Sequence, residues 1–454
     1  MQSHTHVNRD SLLTSWARHL ADAARQGALT GKPCPVTRIE TISGPRAGVL
    51  EIFAGLGSGH LLRALSKNDA AVLRQFIPWH FPGQPQVYMA GRYVRCEVGW
   101  PDHMASTTIR LNELCEKPKR GGRWVAGMSE SGAVVILSLS DRTPHFLISG
   151  ATGSGKSVKL RSAVLQLSRD PDNAILLIDG KMGESLRAVE RLAGVVGPCA
   201  VDGPTARDVL GWAAAEMRRR YQSGQQNGRI IVVIDEFQEL VGDEVIVDLL
   251  RKLVAQGRAA RVHCLLATQH PTVAAFGDSS IRRNLVGKVA LHVLDFDASR
   301  VAVGGATPRA DHLLGAGDSY AVGPGACHRV QLAYVDQRDF DAAGHGVFQF
   351  PRWPEHQPED IGQDIPVGWS YTGEELAVSI VSAVENEGRP SLIKRLLANG
   401  LNRPGSERAS RLLQLGRDAN AGLQRQGYAA RPACLPGSTH YQPDQRRLMI
   451  FSAV

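Results

Sequence analysis

Apolar residues recur at helical spacing through residues 10–27, DSLLTSWARHLADAARQG. Asp10 or Ser11 stands where an N-cap belongs, and Gly27 where a helix stops. Two strand-like stretches follow, PVTRIETIS and GVLEIFAGL, then a helical SGHLLRALSKNDAAVLRQFI and a strand pair around QVYMAGRYVRCEVGW. The pattern predicts a small α/β domain closing near CEKPKRGGR, a basic, glycine-bearing link at 115–123. From 124 to 350 the rhythm changes. The apolar runs AVVILSL, HFLISG, AILLID, IIVVID, HCLLAT and VALHVL alternate with the helical segments GKSVKLRSAVLQLSRD, ARDVLGWAAAEMRRRYQ and EVIVDLLRKLVAQGRAA. Such alternation predicts a parallel sheet covered on both faces. Residues 351–370 hold four prolines and read as a linker. The chain thus divides into 1–122, 123–350, the linker 351–370 and 371–454.

Length and composition narrow the class. The 454 residues, 43% hydrophobic and 21% charged, are those of an ordinary globular protein of several domains. A formal net charge of +8 leans towards an acidic partner such as nucleic acid. The seven cysteines form no C-x-x-C pair, which suits reduced thiols better than a disulfide framework or a zinc site. The N-terminal MQSHTHVNRDSLLTSW lacks the basic and apolar regions of a signal peptide. No apolar run approaches the ~20 residues of a membrane helix. A cytoplasmic protein is expected, with any membrane attachment made through a membrane-bound transfer or division partner.

The chemistry concentrates at GATGSGKS. Gly150, Ala151, Thr152, Gly153, Ser154, Gly155, Lys156, Ser157 and the following Val158 lie between a strand and a helix. Glycines at these spacings let backbone N–H groups turn inwards around phosphate oxygens, and the helix start adds positive potential. Lys156 would reach the β and γ phosphates of ATP, and Ser157 would ligate Mg²⁺. The strand IIVVID then delivers Asp235, suited to the same Mg²⁺, and Glu236, suited to polarising an attacking water. The acidic pair favours hydrolysis over phosphoryl transfer to a small molecule. The adjacent strand ends in Thr268 and Gln269, a polar pair able to sense the γ-phosphate.

These residues resemble the FtsK/SpoIIIE family of double-stranded DNA translocases. LLIDGKMGESL resembles that family's strand followed by D-P-K-M-x-E-L, with Gly180 in place of Pro. ARDVLGWAAAEMRRRYQ resembles its A-E-M-x-x-R-Y helix, and AQGRAARVHCLLATQHPTV its A-R-A-A-G-I-H-L-x-x-A-T-Q-R-P. HLLGAGDSYAVGPG resembles its L-L-G-x-G-D segment. The resemblance implies an α/β fold: a RecA-like P-loop ATPase core, a small N-terminal α/β subdomain and a C-terminal winged helix-turn-helix. It further implies a hexameric ring with ATP between subunits, each site completed by the neighbour's Arg258. DNA-facing loops would carry Arg282 and Arg300. His270 and Phe296 depart from basic positions of the family.

In SERASRLLQLGRDANAGLQRQGYAARP two helical segments are expected, broken at Gly416. With the upstream GEELAVSIVSAVENEG they make a three-helix set, which RPSLIKRLLANGLNRP interrupts as an insert. YAARPACLPGSTHYQPDQRRLMIF would supply a wing and a returning strand. Arg417, Asn420, Gln424 and Arg425 are the groove candidates on the second helix. The leading expectation is an ATP-driven DNA pump, of the compact kind found on plasmids, phages and integrative elements, working in DNA transfer or segregation. A conjugative coupling ATPase moving a protein–DNA complex shares the core motifs. An ATP-switched DNA-binding regulator is the third reading, and Glu236 and Arg258 argue against it.

Overall fold

The computed structural model describes residues 8–115, 120–224, 228–343, 373–398, 400–425, 428–430 and 451–453. The chain opens with helix α1 (Arg9–Arg25), capped by the side chain of Asn8 on the N–H of Asp10 rather than by Asp10 or Ser11. Strands β1 (Arg38–Ser43) and β2 (Ala47–Phe53) lead to α2 (Ser58–Arg74), which is broken at Lys67–Ala70. Next come β3 (Gln86–Ala90), β4 (Tyr93–Gly99), β5 (Ile109–Arg110), the short α3 (Leu111–Leu114), β6 (Arg123–Ser129), β7 (Val134–Ser138) and β8 (Phe146–Ser149). After α4 (Lys156–Leu167) follow β9 (Asn173–Asp179), α5 (Gly203–Ser223), β10 (Arg229–Asp235), α6 (Glu244–Gln256) and β11 (Val262–Thr268). The chain continues through α7 (Ser279–Asn284), β12 (Gly287–Leu291), α8 (Phe296–Val303), β13 (Asp318–Gly323), β14 (Ala326–Tyr334) and α9 (Gln337–Ala343). Beyond lie α10 (Gly373–Val384), α11 (Arg389–Ala398), α12 (Ser406–Arg425), β15 (Tyr428–Ala430) and β16 (Phe451–Ala453).

The chain falls into two compact units. One comprises 1–167, 235–241 and 265–338; the other comprises 168–234, 242–264 and 339–454. In the first, β1 to β4 form an antiparallel sheet ordered β1-β2-β4-β3. The apolar stripe of α1 supplies Leu13, Trp16 and Leu20 to its core. Trp16 meets Trp79 edge-on at 5.4 Å, and Trp79 meets Trp100 at 4.9 Å. The larger sheet of this unit runs β7-β6-β14-β13-β12-β8-β11. Strand β8 is parallel to both β11 and β12. The wholly parallel sheet expected from the sequence is corrected here: β12, β13, β14, β6 and β7 pair antiparallel in succession. The cause is local, since β13 turns directly into β14 through Pro324-Gly325, and a connection that short can only make a hairpin.

In the second unit β9 is buried throughout and β10 carries the buried apolar run Ile230–Ile234, and α5 and α6 pack together. Asp202 caps α5 in a reciprocal capping box with Thr205, and Gly224 closes it in the left-handed conformation. The three C-terminal helices share a core of Val378, Leu392, Leu396, Leu412 and Leu413. Two expectations are corrected here. The break at Gly416 is absent, because α12 runs unbroken from Ser406 to Arg425. The supposed insert forms α11. Gly416 serves packing instead: a Cβ there would lie 2.2 Å from the carbonyl oxygen of Ser379 in α10. Most of the wing, 431–450, and the linker, 351–370, lie outside the described residues.

Candidate functional site

The loop 150–157 leaves the end of β8 and enters α4 at Lys156. Neighbouring strand ends anchor it. The N–H of Gly150 donates to Thr268 O at 3.2 Å, and that of Ala151 to His292 O at 2.8 Å. Gly153 and Gly155 hold φ of 78° and 102°, a region closed to most side chains. Thr152 is exposed at the loop tip, and Ser157 and Val158 are half-buried on the first turn of the helix. The hydroxyl of Ser154 is buried without a hydrogen-bond partner. An orphaned donor inside a glycine-built loop at a helix start fits a phosphate.

Both carboxylates predicted from the strand end come to this loop. The ammonium of Lys156 is hydrogen-bonded to Asp235 Oδ1 and lies 3.0 Å from Glu236 Oε1. Exposure is 4% for Lys156, 0% for Asp235 and 1% for Glu236, so the three charges meet out of water. The hydroxyl of Ser157 donates to Asp235 Oδ2 at 3.5 Å. A serine hydroxyl beside a carboxylate is a hard-oxygen donor set and suits Mg²⁺.

Glu236 occupies a left-handed conformation with φ 50°, unusual for a non-glycine residue. Several contacts hold it there. Its N–H donates to Asp235 Oδ1 at 3.0 Å, and the N–H of Glu239 donates to its carbonyl at 3.0 Å. The next residue, Phe237, is buried against Phe276 at 5.1 Å. The Glu236 carboxylate accepts from Gln238 Nε2 at 2.6 Å, from the Gln269 N–H at 3.2 Å and from the Gln269 side-chain amide. Thr152 Oγ1 in turn donates to Gln269 Oε1 at 2.9 Å. The loop tip, the strand end and the acidic residue therefore form one hydrogen-bonded chain. Sequence reading placed Gln269 here but missed Gln238 and the bridging hydroxyl of Thr152.

Behind the loop, Lys159 is fully buried on α4 and donates to the carbonyls of Val125 and Ala126, each at 3.1 Å. Burial pulls its ammonium down to about 7. No sequence signal marked this lysine.

The remaining candidates lie on other elements. Arg282 is half-buried in the last turn of α7. Arg300 is exposed on α8, 3.7 Å from Asp297, with its guanidinium 5.9 Å from the ring centre of Phe296. Arg309 lies over the same ring at 4.7 Å. In the second unit Arg258 is exposed in the turn after α6. That turn is held by α5: Arg220, paired with buried Glu216, donates to Ala260 O at 2.8 Å, and the Tyr221 hydroxyl donates to Gln256 O. On α12, Arg417 is exposed and Asn420 half-buried, with Gln424 and Arg425 at the helix end.

A glycine-built phosphate loop on a mixed α/β sheet, faced by buried carboxylates from the end of β10, defines a P-loop protein. Residues 123–230 match the model of the FtsK/SpoIIIE family. It is similar to the DNA translocase SftA of Bacillus subtilis (strain 168), 32% identical over 254 residues that cover 50% of this chain and 26% of that protein. It is also similar to the DNA translocase FtsK of Vibrio parahaemolyticus serotype O3:K6 (strain RIMD 2210633), 30% identical over 369 residues, 68% of this chain and 34% of that one. The chain thus spans about a quarter to a third of the length of these relatives. Among solved structures, the pCW3 conjugation coupling protein TcpA, monomer form with ATPgS, aligns with 73% of this chain and 98% of its own, at 18% identity and a TM-score of 0.48. Among the described residues no helix is long and apolar enough to cross a membrane.

Proposed function

We propose that this chain is an ATPase that translocates double-stranded DNA, working as a hexameric ring in DNA transfer or segregation. The observation that carries the reading is the Glu236 carboxylate, held beside Lys156 and oriented by Gln269. A nucleotide switch needs only the loop. A buried carboxylate fixed by three donors is the equipment for orienting an attacking water.

Lys156 and the loop N–H groups bind the β and γ phosphates, and Lys156 leaves the carboxylates to do so. Glu236, released from that ammonium and still held by Gln269 and Gln238, orients the water and takes its proton. Ser157 and Asp235 are the residues that would hold Mg²⁺, which supplies charge to the phosphate oxygens. Arg258 acts on the neighbouring subunit's site, stabilising negative charge as the γ-phosphate departs. Thr152 and Gln269 register the γ-phosphate through the same hydrogen-bonded chain.

DNA is gripped by its phosphates through Arg282 and Arg300, which needs positive charge and no base reading. Residues 371–454 act as a winged helix-turn-helix in which α11 and α12 form the pair and α12 carries the groove candidates Arg417, Asn420, Gln424 and Arg425 in its sequence. The match of residues 123–230 to the family model and the relatives' names as DNA translocases support the translocase reading. The test is ATP hydrolysis by the full chain with and without duplex DNA. Marked stimulation by duplex is expected; a rate indifferent to DNA contradicts the reading.

A further inference from the structure

Arg46 lies in the turn between β1 and β2, far in sequence from the phosphate loop, and is buried. Its Nη2 donates to Gly315 O at 2.8 Å and to Ala316 O at 2.9 Å, and its Nε donates to Gln331 Oε1 at 2.6 Å. Gln331 on β14 donates from Nε2 to Ala316 O at 3.2 Å and to Thr107 O at 2.8 Å. One short turn, 315–317, thus receives bonds from both side chains.

The turn is conformationally costly. Gly315, Ala316 and Gly317 have φ of 78°, 44° and 86°, so three successive residues are left-handed and one of them carries a side chain. Asp318 secures its exit: the carboxylate accepts from the Leu314 N–H at 2.9 Å and from Arg329 at 3.0 and 2.6 Å. On its other side the turn touches the phosphate loop. The N–H of Gly317 donates to Ser154 O at 2.9 Å, and a Cβ on Gly155 would lie 3.4 Å from the Gly317 nitrogen. The same bonded turn therefore faces Arg46 on one side and the loop on the other.

We propose that Arg46 is a positioning residue for the phosphate loop, acting through the 315–317 turn on Ser154 and Gly155. The four-stranded N-terminal sheet is then part of the framework of the nucleotide site, though it lies outside the segment matched by the family model. The inference rests on reading 150–157 as a phosphate loop. Its physical content is pre-organisation: Ser154 and Gly155 must present their N–H groups in one conformation, and an unbraced left-handed turn would let that conformation drift.

Two measurements on the full chain decide it. In the unaltered protein, adding ATPγS with Mg²⁺ should slow amide exchange at 149–158, at 314–318 and at 44–48 together. Protection confined to 149–158 overturns the inference. No protection at 149–158 overturns the nucleotide reading and the inference with it. In variants, Arg46→Gln should raise the KM for ATP by about tenfold, the worth of one to two charge-assisted hydrogen bonds, with kcat nearly unchanged. Arg46→Lys should recover part of that loss, because an ammonium still reaches a carbonyl. Arg110→Ala, which breaks a half-buried pair with Asp336 in the same unit, should leave KM alone. A KM for Arg46→Gln equal to that of the unaltered chain contradicts the proposal. If Arg46→Gln does not fold, the exchange measurement decides alone.

Discussion

The side-chain amide of Gln269 donates to the carboxylate of Glu236, which can only accept, and this turns the amide oxygen towards Thr152, whose hydroxyl donates to it at 2.9 Å. Replacing Glu236 with Gln removes the proton acceptor but leaves Asp235 and Lys156 in place. Glu236→Gln should therefore bind ATP normally and hydrolyse it about 10²–10⁴ times more slowly, the usual weight of a general base. Single-turnover hydrolysis alongside nucleotide binding checks this. A normal rate would remove Glu236 from the role.

Lys156 carries the charge that both carboxylates share. Lys156→Ala should abolish nucleotide binding, as read by fluorescent-nucleotide titration. It also leaves Asp235 and Glu236 buried side by side without their cation, which is costly. Thermal unfolding should therefore fall along with binding. Retained ATP affinity would contradict the loop's assignment.

Arg258 is proposed to act across a subunit boundary. Arg258→Ala should hydrolyse slowly, and mixing it with Lys156→Ala chains should restore activity, since an intact loop can then meet an intact arginine. Mixed assemblies that demonstrably form and recover nothing would count against a shared site.

The loop, the acidic pair and the strand bearing them were legible because their signals are contiguous: glycine spacing, an apolar run, then two acids. The mixed sheet was not, because β13 and β14 intersperse polar residues such as Asp318, Ser319, His328, Arg329 and Gln331 among apolar ones, and hairpin pairing leaves no mark on the apolar rhythm. Gly416 misled for a related reason. Locally a glycine signals a break, yet here it admits the close approach of Ser379, a contact that only the folded chain creates. Arg46 carried no signal at all, since its partners at Gly315 and Ala316 lie some two hundred and seventy residues away.

Gly416 provides its own test. A glycine inside an exposed helix gains up to about 1 kcal/mol when replaced by alanine. Gly416→Ala should instead destabilise the C-terminal helices by about 1–3 kcal/mol, as overpacking does. Thermal unfolding of the full chain would show the sign.

Lys159 predicts a pH dependence. Burial holds its folded pKa at about 7 against an ordinary 10.5. Between those values the unfolded chain binds more protons than the folded one, so this group makes stability rise with pH across that window. Below about 7 the lysine is charged in both states, and the cost of burying the charge is fully present. Lys159→Met should flatten the rise between pH 7 and 10.5 in denaturant unfolding. An unchanged slope would mean the lysine is not buried as described.

The central claim is movement along duplex DNA, and displacement of a third strand from a DNA triplex reads it most directly. With ATP, the full chain should strip the third strand, and Glu236→Gln should not. Arg282→Ala combined with Arg300→Ala should keep basal hydrolysis and lose both displacement and DNA stimulation, with a shallower salt dependence because fewer phosphates are neutralised. A full chain that hydrolyses ATP on duplex DNA yet leaves the triplex intact would contradict the account.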